Sequence, residues 1–341
     1  MKLFLCLFLS ILGSIHSGLF AATPFENKVY IANRDSKTIS VYDSALEKVV
    51  NTLPLKKAPE KLGLTPNGKS LFVLNDYSVS IISTDPKAMK VLKTIDTFKN
   101  SRIGRPIAIA FSLDGSAAYI LCNQNQDTKV ELLLLNTSTN EITNSQTIFN
   151  FLGRKTTAID FIVSKDGKIA YILYTIEKNS AIVAIELAKN KQRWIKSLNL
   201  SDPCSLVLTA DGSKIYTSGK TSYYSGTLST INTSDGTNKT IQNPHHLKSF
   251  AANLNQKIAT IYANSASTIS IIDTSSNQCN KTGIKGVFSA IALNKEGSKL
   301  YVANPKESKV FVYMIDFPYM ELFSTFSVDE NPVDIVVGPE M

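Results

Sequence analysis

The sequence predicts an all-β protein, a seven-bladed β-propeller of four-stranded antiparallel blades. Three observations carry that prediction. A short hairpin unit recurs along the whole chain, its period leaves room for about four strands per copy, and one copy is split between the two ends.

The clearest copy runs from Leu62 to Asn75. Leu62 and Leu64 alternate with small neighbours, as one face of a strand requires. Pro66, Asn67 and Gly68 then supply a proline and a glycine that accepts positive φ, and Leu71, Phe72 and Val73 begin the return strand. The turn recurs at Gly115, Gly167, Gly212 and Gly297, with a worn copy around Asn253–Gln256, so that it returns every 41 to 52 residues. Helical repeats would show a 3.6-residue periodicity, and no long stretch of the mature chain does.

Each unit continues with a polar loop and an alternating third strand, such as Thr268–Asp273 or Thr38–Asp43, and then a fourth such as Val91–Ile95. Six units are complete. The seventh opens at Lys28–Asn33 without a preceding strand, and Pro332–Val337 ends the chain as the strand that is missing. Closing the ring with the C-terminal strand removes an exposed sheet edge and an exposed blade face.

Residues 1–22 read as a signal peptide: Lys2, an apolar run from Leu3 to Leu12, and small residues up to Ala22. That run is shorter than the ~18 residues a membrane span needs, so no stable span is expected after cleavage. Residues 25–341 then form a single propeller domain, expected to be exported to a periplasmic, cell-surface or extracellular location. Of four cysteines, Cys122, Cys204 and Cys279 remain after cleavage. They fall in different repeats and read as small buried hydrophobes rather than a disulfide framework.

The second strands Tyr30-Ile31-Ala32-Asn33, Phe72-Val73-Leu74-Asn75 and Tyr301-Val302-Ala303-Asn304 each precede a loop and a Thr-Ile-Ser-Val-like strand. They resemble the Tyr-Val-Thr-Asn element of the YVTN-repeat β-propeller family. The match covers nearly all of the mature chain and loses its asparagine at Tyr171–Tyr174 and Tyr216–Gly219. The resemblance implies the seven-bladed fold. For function it implies only a range: exported or surface proteins, nucleic-acid binders and relatives of lactone-cleaving propellers.

No catalytic signature stands out. There is no phosphate loop, no Gly-x-Ser-x-Gly elbow and no calcium loop, and no cofactor or metal is implied. His245 and His246 are adjacent, and neighbours in an extended segment point apart, which disfavours joint chelation.

Five Asn-x-Ser/Thr sequons, at Asn136, Asn199, Asn232, Asn238 and Asn280, would matter in a glycosylating source. The net charge is +8, carried mainly by lysine, and permits an anionic partner without requiring one.

Topology makes one constellation. Loops between second and third strands share a face with the links between repeats, which puts Arg34, Arg102, Arg105 and Arg154 on one face with Lys155. Phe98 and Phe151 interleave with these bases, and Tyr223 and Tyr224 lie on the same rim. Arginine grips carboxylate or phosphate in a fork, so the pattern points to a macromolecular or anionic ligand. The competing reading is a rim of solvated charges paired to Asp35, Asp329 or Glu330.

Near the ring axis the pattern places Lys61, Asp160 and Asp334, with Asp334 and Lys61 on neighbouring repeats as an ion pair. Asp160 is expected to lack such a neighbour and so to be the better candidate for a functional carboxylate. The leading expectation is a non-catalytic exported binding propeller. A lactonase-like hydrolase using Asp160, the arginines and His246 is one alternative. A single-stranded nucleic-acid binder that stacks bases on Phe98, Phe151, Tyr223 and Tyr224 is another.

Overall fold

The computed structural model describes residues 25–97, 104–124, 129–150, 155–220, 226–243, 247–252, 257–262, 267–316 and 319–339. Their strands form seven four-stranded antiparallel sheets, numbered here in chain order. Sheet 1 combines Lys28–Asn33, Thr38–Asp43 and Lys48–Pro54 with the C-terminal strand Pro332–Val337. Sheet 2 runs Pro59–Leu64, Ser70–Asn75, Ser78–Ser83 and Lys90–Asp96, and sheets 3 to 7 repeat that consecutive meander.

The hairpin turns are built as their residues demand. At the first complete copy, Gly68 sits at φ 70° and donates its N–H to the Thr65 carbonyl at 2.8 Å, while Asn67 Oδ1 accepts the Lys69 N–H at 3.0 Å. Gly115, Gly167, Gly212 and Gly297 hold φ between 70° and 75° in the same place. The worn copy at 253–256 lies outside the described residues.

Second strands are buried on both faces. From Val29 to Asn33 and from Leu71 to Asn75 every residue is buried, because both sides of the sheet are covered by neighbouring sheets. Outer strands alternate, as Lys48–Pro54 does between exposed and half-buried positions.

Among the described residues the core consists of seven apolar clusters, one at each junction between successive sheets. Tyr30 and Val41 of sheet 1 pack on Leu71 and Val73 of sheet 2. At the last junction Val29, Ile31 and Tyr42 of sheet 1 meet Tyr301 and Val310 of sheet 7, together with Ile335. Tyr42 also stacks on Phe326 with ring centroids 3.8 Å apart. The other five clusters join sheets 2 and 3, 3 and 4, 4 and 5, 5 and 6, and 6 and 7. Contacts therefore run from each sheet to the next and back to the first.

The C-terminal strand lies antiparallel to the first, with Ile335 opposite Ile31 and Val336 opposite Tyr30. Backbone bonds from Arg34 N to the Asn331 carbonyl (2.9 Å) and from Asn27 N to the Pro339 carbonyl (3.0 Å) hold both of its ends.

Cys122 is a fully buried thiol whose pKa is pushed far up by burial, as a core hydrophobe should be. Cys204 departs from expectation. It is only half buried, because the short inner strand Leu206–Leu208 starts after it and leaves it in the linking segment.

A candidate anion site between Arg34 and Arg105

Among the described residues, the inner strands of sheets 1, 2, 3, 4 and 6 enter their sheets through a register shift. In sheet 2 the shift falls between Pro59 and Lys61, so Glu60 is left without a partner in the ladder. Sheet 3 repeats the shift at Ile107, between Pro106 and Ala108, and sheet 4 at Ile159, between Ala158 and Asp160. Such a bulge re-aims side chains, so two successive residues need not point to opposite faces.

That geometry explains how Glu60 and Lys61 line the same depression. A cavity of about 340 Å³ is bordered by Arg34 and Val333 of sheet 1, Glu60 and Lys61 of sheet 2, and Arg105 and Ile107 of sheet 3. A shallower basin of about 650 Å³ shares Arg34, Glu60 and Arg105 with it and extends over Lys37, Lys56 and Lys57. Across the two depressions six basic residues face two acidic ones, Glu60 and Asp76.

Glu60 lies between the two guanidiniums. Arg105 Nη2 is 2.5 Å from its Oε2, and Arg34 Nη2 is 3.7 Å from its Oε1. Arg105 Nε also approaches Asp76 Oδ1 at 3.7 Å. The hydrogen bond to Glu60 is the main cause that holds the Arg105 guanidinium above its already high pKa. Arg34 and Arg105 are therefore paired, but not to the acids expected. Asp329 accepts the Thr38 hydroxyl at 2.6 Å and Asp35 accepts the Asn331 amide at 3.0 Å, while Glu60 takes the arginines.

Lys61 is open to water yet enclosed by protein. Enclosure opposes its positive charge, but Asp160 and Asp334 together outweigh that and raise its pKa. Burial raises the pKa of both carboxyls, against the pull of Lys61. The expectation that Asp160 stands alone is thus corrected: the ring brings sheet 4 near enough to sheet 2 for Asp160 and Lys61 to interact. Both carboxylates also stitch neighbouring sheets. Asp334 Oδ2 accepts the Leu62 N–H at 2.8 Å, and Asp160 Oδ2 accepts the Leu206 N–H at 2.9 Å.

Of the residues expected at the rim, Arg34 and Arg105 are brought together. Lys155 borders neither depression. Arg102, Arg154, Phe98, Phe151, Tyr223, Tyr224, His245 and His246 lie outside the described residues. Glu60 was missed, although the sequence carries a signal for it. The corresponding positions of the other repeats hold Ile107, Ile159, Cys204, Lys248, Ser289 and Val333, and no other acid.

Repeated four-stranded antiparallel sheets packed face to face around a closed circuit define an all-β propeller. Within that class the chain belongs to the YNCE-like beta-propeller family, whose model matches residues 9–335. This family, rather than the YVTN-repeat family, is the one matched.

Among solved structures it is similar to a functionally unknown protein from Desulfotomaculum acetoxidans (TM-score 0.70, 12% identity, 91% of this chain and 98% of that one). It is also similar to the periplasmic gluconolactonase PpgL of Pseudomonas aeruginosa (TM-score 0.68, 14% identity, 91% and 98%). A candidate 6-phosphogluconolactonase from Bacteroides fragilis gives a TM-score of 0.66 at 14% identity, over 92% and 99%. At these identities the likeness is one of fold. A comparison with curated proteins gives no significant match.

Proposed function

We propose that this chain is an exported seven-bladed propeller, one blade for each sheet, that binds an anionic ligand in the depression between Arg34 and Arg105. The observation that carries the reading is the convergence of two guanidiniums from different sheets on one carboxylate, with the Lys61 ammonium lining the same cavity. The ligand is a small anion or an anionic group on a macromolecule. Export rests on the signal-like N-terminus, and a periplasmic propeller among the structural neighbours is consistent with it.

The test is a calorimetric titration of the full chain with inorganic phosphate and with gluconate at low salt. Binding that weakens as salt rises and disappears in Arg34→Gln/Arg105→Gln supports the site. Undiminished binding in that double variant removes it.

A second reading, a lactonase-like hydrolase, is favoured by the Lys61, Asp160 and Asp334 arrangement and by the lactonase names among the neighbours. There the arginines would hold the sugar acid and Asp160 would act as acid or base. Gluconolactone hydrolysis followed in a pH-stat decides it. No rate above buffer, or a rate that Asp160→Asn leaves unchanged, ends this reading.

A further inference from the structure

The geometry points to Glu60 as a resident competitor: its carboxylate occupies the place that a ligand carboxylate takes between Arg34 and Arg105. This rests on the anion-binding reading above and names the ligand chemistry as a carboxylate.

Three observations support it. First, the two oxygens of Glu60 are divided between the guanidiniums, Oε2 facing Arg105 and Oε1 facing Arg34, so a planar two-oxygen group is already accommodated. Second, Glu60 sits on an unpaired bulge residue whose counterparts in the adjoining sheets, Ile107 and Val333, line the same cavity with apolar side chains. The fold does not need an acid at this position. Third, the pairing is open to exchange. The two arginine side chains are 47% and 52% exposed, and Glu60 is 22% exposed, so water and solutes reach the pair. Such ion pairs are worth roughly 0.2–1 kcal/mol, which an incoming carboxylate can replace at little cost.

Competition has a definite sign. If Glu60 must leave for a carboxylate to enter, neutralising it tightens binding. If Glu60 instead holds the arginines in place for the ligand, neutralising it weakens binding.

The experiment uses the full chain labelled with ¹⁵N, reads the arginine Nε–Hε resonances, and titrates with gluconate and separately with inorganic phosphate. The variants are Glu60→Gln, Arg105→Gln and Arg34→Gln, each checked for an unchanged thermal transition. The expected result is gluconate affinity about 1.4- to fivefold tighter in Glu60→Gln, the fold-change that corresponds to the pair energy above, and lost in Arg105→Gln.

Unchanged or weaker gluconate binding in Glu60→Gln, with Arg105→Gln still abolishing it, overturns the competitor while the anion site stands. A gain for phosphate but none for gluconate overturns the carboxylate assignment. Binding that survives both arginine variants overturns the site and this inference together.

Discussion

Replacing Ile335 by alanine tests whether the C-terminal strand is a structural member of the ring. Ile335 is 4% exposed, pairs with Ile31 and belongs to the cluster that joins sheets 7 and 1. Isoleucine-to-alanine changes at such sites cost about 2–5 kcal/mol, a transfer loss plus a cavity that relaxes only in part. Here the surroundings are tight. Val29, Tyr301 and Ala303 are fully buried, and the backbone of the strand is held by the Gly338 N to Lys28 carbonyl bond at 2.7 Å, so the upper half of that range, about 3.5–5 kcal/mol, is expected. A typical domain has roughly 5–15 kcal/mol in total, so the variant should be folded but conspicuously weak.

Urea unfolding followed by circular dichroism measures the effect, with Ile291→Ala as the internal standard. Ile291 lies on the inner strand of sheet 7 at 6% exposure, within a continuous stretch of chain. The two variants should lose similar stability. A loss below about 0.5 kcal/mol at Ile335, beside a large one at Ile291, would falsify ring closure by this strand, because a detached strand costs nothing to truncate.

Three further outcomes follow from the site and its supports. Lys61→Met should lower stability at neutral pH by about 1–2 kcal/mol, less than the ~3–5 of a dry buried pair because water reaches the group. Its pH dependence has two parts. The raised pKa of Lys61 gives wild type a contribution that is complete below the ordinary lysine value of 10.5 and lost above it, and the variant should lack that alkaline loss. The raised carboxyl values mean that protonating Asp160 and Asp334 relieves strain, so the deficit should shrink as pH falls toward their ordinary 3.8, and a deficit that grows in acid would contradict this. Asn123→Ala should cost about 2–4 kcal/mol in urea unfolding, because the Asn123 amide both donates to and accepts from the Ala158 backbone at 2.9 Å across the junction of sheets 3 and 4; a cost under 1 kcal/mol would mean water replaces it freely. Gly104→Ala should destabilise by about 1–3 kcal/mol and weaken gluconate binding, since φ is 118° and an added Cβ would lie 2.2 Å from the Asn123 carbonyl oxygen, shifting the neighbouring Arg105; full affinity with lowered stability would show that Arg105 adjusts independently.

Much of the ring could be read directly from the chain. The turn glycines need positive φ and cannot be mistaken for helix interior, and the alternation from Thr38 to Asp43 fits only a strand. The split repeat was legible for a physical reason too: Lys28–Asn33 is apolar enough to require cover on both faces, and Pro332–Val337 is a strand left over. Side-chain partners were another matter. Which acid would meet Arg34 and Arg105 depends on where the starts of two inner strands meet the turn that carries Arg34, and that meeting has no periodicity to read. Asp160 looked isolated because sequence order put it two repeats away from Lys61, whereas in a ring the inner strands face one axis and charge acts across it.

The bulge of the inner strand in sheet 2 is the step that turns a repetitive fold into a specific site. An unbroken strand would send Glu60 and Lys61 to opposite faces, one toward each neighbouring sheet, where an unpaired charge would cost several kcal/mol. The register shift after Pro59 frees Glu60 from the ladder, and both side chains then line the same depression. The same slot accepts Ile107, Ile159 or Val333 elsewhere without loss of the fold, so its occupant is released from the demands of packing. A charge at one such slot, beside arginines from both adjoining sheets, is therefore not something the ring needs to stand, and it is what the proposed anion site would use.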